Sequence, residues 1–225
     1  MIDIACQPSD RRPLASRDVE IIQRVATWLV VRRVSANAIS LCSIVFAGLA
    51  SVCLAITVPS GDVRGRWLFA LAALFVQARL LANLLDGMVA VASGQASPEG
   101  ELYNEVPDRV ADALILIGAG FAVGGTPTLG YLSALVAVFV AYIRALGSTA
   151  GVRGLFIGPM AKPQRMATLT AACIYCACAP AGWPGGLAGG RFGAISMALA
   201  LITGGGALTA MRRLQRIASH LREAA

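Results

Sequence analysis

Asn83-Leu84-Leu85-Asp86-Gly87-Met88-Val89-Ala90-Val91 closes one long apolar run, and Gly100-Glu101-Leu102-Tyr103-Asn104-Glu105-Val106-Pro107-Asp108 opens the next, with Asp112 one turn further on. Ionisable groups at membrane depth are costly to bury and mark function. Asn83 and Asp86 are three residues apart, so they share a helical face. Asn104, Asp108 and Asp112 recur at four-residue intervals and line a stripe on the following helix. Two antiparallel helices, joined by the turn Gly94 to Glu99, would converge these oxygens on one site. Hard oxygen donors of this kind suit Mg²⁺ or Mn²⁺ and not zinc. Several carboxylates at this depth need a bound cation or a basic partner to stay ionised. The simpler alternative is pairing with Arg79 and Arg109 to hold helices together, which leaves the two asparagines in register without a purpose. Ser97-Pro98-Glu99 is a helix start, and Pro107 should free the carbonyl of Tyr103 and bend the helix between the acidic residues.

Outward from this stretch the chain reads as membrane. Of 225 residues, 57% are hydrophobic and 14% charged, where a soluble domain carries about 25% charged residues. That deficit excludes an ordinary water-facing surface. Crossing the hydrocarbon takes roughly 20 mostly apolar residues. Six spans follow: Ala36 to Val58, Trp67 to Ala92, Gly100 to Val123, Leu129 to Ile143, Met166 to Gly182 and Phe192 to Met211. The fourth is short and should borrow a turn from either side. Pro59-Ser60-Gly61, Gly124-Gly125-Thr126-Pro127 and Trp183-Pro184-Gly185-Gly186 break the runs where turns are needed. The expected fold is therefore an all-α integral membrane protein with six transmembrane helices and an N-terminal amphipathic juxtamembrane helix. Residues 1–35 form the N-terminal segment, 36–211 the six-helix unit and 212–225 a basic tail. The juxtamembrane helix, Ser16 to Arg33, puts Val19, Ile22, Val25, Ala26, Leu29 and Val30 on one stripe, with Arg17, Arg24, Arg32 and Arg33 off it. Such a helix either lies on an anionic membrane face or simply precedes the first span.

Basic residues set the orientation. With both ends on one side, that side receives fourteen: Arg11, Arg12, Arg17, Arg24, Arg32, Arg33, Arg144, Arg153, Lys162, Arg165, Arg212, Arg213, Arg216 and Arg222. The other receives three, Arg64, Arg66 and Arg191. The positive-inside rule then predicts two cytoplasmic termini, and the expected location is a bacterial inner membrane, as a multi-pass protein. The net charge of +7 is accounted for by this orientation, and its scatter over termini and loops argues against nucleic acid. Cys173-x-x-Cys176 has metal or redox spacing, but it lies in an apolar run without a histidine nearby, so packed thiols are expected.

The spaced pattern from Asn83 to Asp108 resembles the motif of the CDP-alcohol phosphatidyltransferases, D-x-x-D-G-x-x-A-R, about eight residues, then G-x-x-x-D-x-x-x-D. The spacing from Asp86-Gly87 through Gly100 to Asp108 fits without a gap. Asn83 and Asn104 replace the first and third motif aspartates, and Val91 replaces the arginine. The resemblance implies an enzyme of phospholipid biosynthesis that moves a phosphatidyl group from CDP-diacylglycerol to a small polar alcohol and releases CMP. It implies metal ligation by Asp86 and Asp108, with Asn83 and Asn104 as weaker donors. Two metals would need compensating charge from Glu105 or Asp112. The catalytic base would be Asp108, with Asp112 second. Gly87, Ala90 and Gly100 would let the nucleotide approach the backbone. Arg144, Arg153, Lys162 and Arg165 would receive a phosphorylated acceptor such as glycerol 3-phosphate or inositol phosphate. A homodimer is implied as well. The three departures support another reading, a family member that has lost catalysis and binds lipid or a protein partner.

Overall fold

The computed structural model describes residues 20–57, 63–93, 98–152, 155–179 and 192–223, with residues 98–104 described by backbone alone. Those residues form seven helices: α1 (Glu20–Val31), α2 (Ala36–Ala55), α3 (Val63–Ala92), α4 (Pro98–Phe121), α5 (Pro127–Thr149), α6 (Lys162–Cys178) and α7 (Ala194–Glu223). Local chemistry sets several starts. Ser35 caps α2 by accepting from the Ala38 amide at 3.3 Å, and prolines near the first positions open α5 and α6. Helix α4 continues through Pro107.

Among the described residues each of the six apolar runs contains a helix, with different ends. The fourth gains a turn and a half beyond Ile143 in α5. The last continues to Glu223 in α7, so Arg212 to Arg222 lie on the same helix. By length and composition α2, α3, α5 and α7 can each cross a membrane. Helix α4 carries Glu105, Asp108, Arg109 and Asp112 in its length, and α6 has 17 residues, which keeps both outside that set.

Helix α2 lies against α3 and α4, α3 against α6, and α5 bridges α4 and α7. Small residues make these approaches possible: Ala47, Ala50, Ala72, Ala111 and Ala119 are wholly buried. Leu41, Val45, Leu49 and Val52 form an exposed stripe on α2, while Ala47, Ala50 and Leu54 of the same helix are buried. A helix apolar on both faces is matched to lipid on its outer side. Cys173 and Cys176 are buried in the main core, as packed thiols.

Helices α2 and α4 approach closely at Gly118. A Cβ there would lie 2.6 Å from Ser51 Cα and 2.8 Å from its carbonyl oxygen. Gly118→Ala is therefore expected to destabilise by about 1–3 kcal/mol through overpacking, read as a lower melting temperature in detergent. An unchanged melting temperature would contradict this packing.

In α1 the inward residues Ile22, Ala26, Leu29 and Val30 pack with Ile39, Ala82, Leu85 and Val89. Val25, expected on that stripe, is 38% exposed, as is the neighbouring Trp28 at 55%. The helix thus docks on the end of α3 that carries Asp86.

Candidate functional site

The polar groups gather at one end of the bundle, where the start of α2, the end of α3, the first half of α4 and the start of α6 meet. Asp86, two turns before the end of α3, is 1% exposed. Its Oδ2 accepts from Ser40 Oγ of α2 at 2.7 Å, and its Oδ1 is buried without a hydrogen-bond partner among the described residues. Beside it, a Cβ added to Gly87 would meet nothing within 4 Å.

Asp108 is the most heavily bonded group. Its Oδ1 accepts from Asn83 Nδ2 at 2.7 Å and from Arg79 at 3.1 Å, and its Oδ2 accepts from Lys162 Nζ at 2.5 Å. Lys162 Nζ also donates to Asn83 Oδ1. One helical turn on, Asp112 pairs with Arg79 through Oδ1 and with Arg165 through Oδ2, each at 2.8 Å. Arg79, Asp112 and Arg165 are 0%, 1% and 2% exposed, so this is a buried ion network, where every missing partner is costly. Further toward the surface, Glu105 accepts from Arg109 at 2.5 Å and also from Arg144 of α5.

The segment before α6 fixes Lys162 and Arg165. The Met160 amide donates to Thr209 Oγ1 of α7 at 3.0 Å, and Arg213 Nε donates to the Ile157 carbonyl at 3.1 Å. Between them Gly158 has φ +119°, a backbone region that glycine enters without strain. A cation-bearing helix start is thereby pinned against α4.

Asn83, Asp86, Asp108, Asp112, Lys162 and Arg165 thus meet at one site, with Arg144 reached through Glu105. Ala90 is half-buried further along α3. Gly100 is described by backbone alone, and the side chain of Asn104, all of Arg153 and Ser97 lie outside the described residues. Pairing of carboxylates by Arg79 and Arg109 is realised, on Asp108 and Asp112 and on Glu105 respectively. Ser40 was not legible, since a hydroxyl in an apolar helix looks the same wherever it points. For Arg79 the signal was there: it stands four residues before Asn83, on the same face. Among the described residues no three of the types His, Cys, Asp and Glu gather as a metal-ligand group. Asp86 Oδ1, a buried carboxylate oxygen with neither a hydrogen-bond nor an ion-pair partner among the described residues, suits one cation.

Fold and site define an all-helical integral membrane protein with one charged site at a single end of its bundle. The fold is shared with phosphatidylinositol phosphate synthase (PgsA1) of Mycobacterium tuberculosis. In complex with manganese and citrate, that protein superposes with a TM-score of 0.69 at 17% identity, over 87% of this chain and 88% of its own. With CDP-DAG bound the TM-score is 0.70 at 18% identity, over 88% and 94%. The apo form gives 0.62 at 17% identity, over 85% and 93%. No family model matches the sequence, and no curated protein does.

Proposed function

We propose that this chain is a CDP-alcohol phosphatidyltransferase, moving a phosphatidyl group from CDP-diacylglycerol to a small polar alcohol with release of CMP. The carrying observation is the convergence of motif-spaced Asn83, Asp86 and Asp108 at one end of a fold shared with a CDP-DAG-bound protein. The acceptor hydroxyl attacks the phosphorus next to the lipid, the bond from that phosphorus to the CMP oxygen breaks, and CMP departs. Asp108 takes the acceptor proton, while Asp112, held on both oxygens by arginines, positions Arg79 and Arg165. Asp86, Asp108, Asn83 and Asn104 are the motif's oxygen donors, and Mg²⁺ or Mn²⁺ bound at this end of the bundle would neutralise charge on the pyrophosphate. Arg144, Arg153, Lys162 and Arg165 would supply positive charge for a phosphorylated acceptor, glycerol 3-phosphate and inositol phosphate being the first to test. Two of the three Lys162 N–H donors serve Asn83 and Asp108. Helices α2 to α7 span a bacterial inner membrane with both termini cytoplasmic, and the chain works as a homodimer.

Gly87, Ala90 and Gly100 form the nucleotide approach. Open space at Gly87 separates binding from folding there. Gly87→Ala is expected to melt no lower than the wild type, since alanine favours a helix, and to raise the KM for CDP-diacylglycerol about tenfold. An unchanged KM would place the nucleotide elsewhere.

A specific observation favours a second reading. Every described oxygen of Asp108 and Asp112 meets a cation or amide of the protein itself, as suits a member without turnover that binds lipid or a partner. CMP release from CDP-diacylglycerol in detergent, with Mn²⁺ and then with a chelator, separates the two. The transferase releases CMP only with metal and acceptor; folded protein that binds CDP-diacylglycerol yet releases no CMP under any condition is the degenerate member.

A further inference from the structure

Lys162 stands on two residues of the metal-binding motif. Its ammonium donates to Asn83 Oδ1 and to Asp108 Oδ2, joining α3, α4 and α6 through one positive charge. Oxygen donors from two helices are thereby bridged by a cation that belongs to the chain. Formal charge around the site is balanced: Asp86, Asp108 and Asp112 stand against Arg79, Lys162 and Arg165. Asparagine at 83 and 104 withholds the two further negative charges that the four-aspartate motif would carry. The nearest substitutes are committed elsewhere, Glu105 to Arg109 and Arg144, and Asp112 to Arg79 and Arg165. Asp86 differs from the other carboxylates. It has a serine in place of a basic partner within bonding distance, and its Oδ1 has neither a hydrogen-bond nor an ion-pair partner among the described residues, whereas Asp112 Oδ1 pairs with Arg79.

We propose that Lys162 is a built-in cation which fills the place between Asn83 and Asp108, so that the chain takes one divalent ion, on Asp86, in place of two. The neutral side chain at position 83 is its counterpart: a single positive charge suffices where a carboxylate has been lost. This rests on the metal-dependent reading above, but its test needs no turnover.

Mn²⁺ binding to the full-length protein in detergent, without substrate, is followed by the electron paramagnetic resonance signal of free Mn²⁺. The wild type is expected to bind one ion per chain, and Asp86→Asn to lose it. Lys162→Met should bind a second ion, or hold the first about tenfold more tightly, because a neighbouring positive charge is gone. Lys162→Gln, which keeps hydrogen-bond donors for Asn83 and Asp108, should behave as Lys162→Met does, and Lys162→Arg as the wild type. Two ions on the wild type, none, or Lys162→Met and Lys162→Gln indistinguishable from it would each overturn the proposal. A wild type that binds one ion and releases no CMP would leave it standing while the transferase reading fails.

Discussion

Asp108→Asn is expected to lower CMP release about 10³-fold, in the range that a positioned general base contributes. Asp108 collects donors from three side chains, Arg79, Asn83 and Lys162, and these hold it in one orientation between α3 and α6. Asparagine is close in size but cannot take the acceptor proton, and its amide would turn a donor toward a cage made of donors. Initial rates at saturating CDP-diacylglycerol, with folding checked by size-exclusion chromatography, measure the effect. A variant within tenfold of wild type would show that the base lies elsewhere, with Asp112 the next candidate.

Arg79→Met is expected to cost about 3–5 kcal/mol of stability, the loss typical of removing one partner from a buried ion pair. Arg79 is wholly buried and serves Asp108 at 3.1 Å and Asp112 at 2.8 Å. Without it Asp112 keeps Arg165 alone, in a core of Ala111, Ile115 and Leu116. Thermal melting in detergent should show a sharp drop, or no folded protein at all. Arg79→Met combined with Asp112→Asn should recover part of the loss, since the excess negative charge is then removed with its partner. A single variant within about 1 kcal/mol of wild type would mean that the network adds little to folding.

Much of this was legible because membrane helices obey strong constraints. Apolar runs of span length can only be helices, and each expected run contains a helix among the described residues, four of them long and apolar enough to cross a membrane. Asn83, Asp86, Asp108 and Asp112 could be placed together because spacings of three and four residues fix a face. Helix ends were less legible. The carbonyl of Ile143 continues bonding as readily as it stops, so α5 went on to Thr149, and no glycine or proline interrupts α7 between Met211 and Glu223. Partner choice was least legible. Lys162 and Arg165 sit 54 and 53 residues from Asp108 and Asp112, and only the docking of the segment Ile157 to Ala161 on α7 brings them there. Their sequence neighbourhood, Lys162-Pro163-Gln164-Arg165, announces a basic helix start and says nothing of which carboxylate it meets.

The most direct measurement is the identity of the lipid formed. Purified protein would be incubated with CDP-diacylglycerol, Mn²⁺ and each acceptor in turn, and the lipid extract read by mass spectrometry. Expected is a new phospholipid whose mass equals CDP-diacylglycerol plus acceptor minus CMP, formed with one acceptor and lost on chelation. Unchanged CDP-diacylglycerol with every acceptor, from folded protein that binds both Mn²⁺ and the nucleotide, would contradict phosphatidyl transfer.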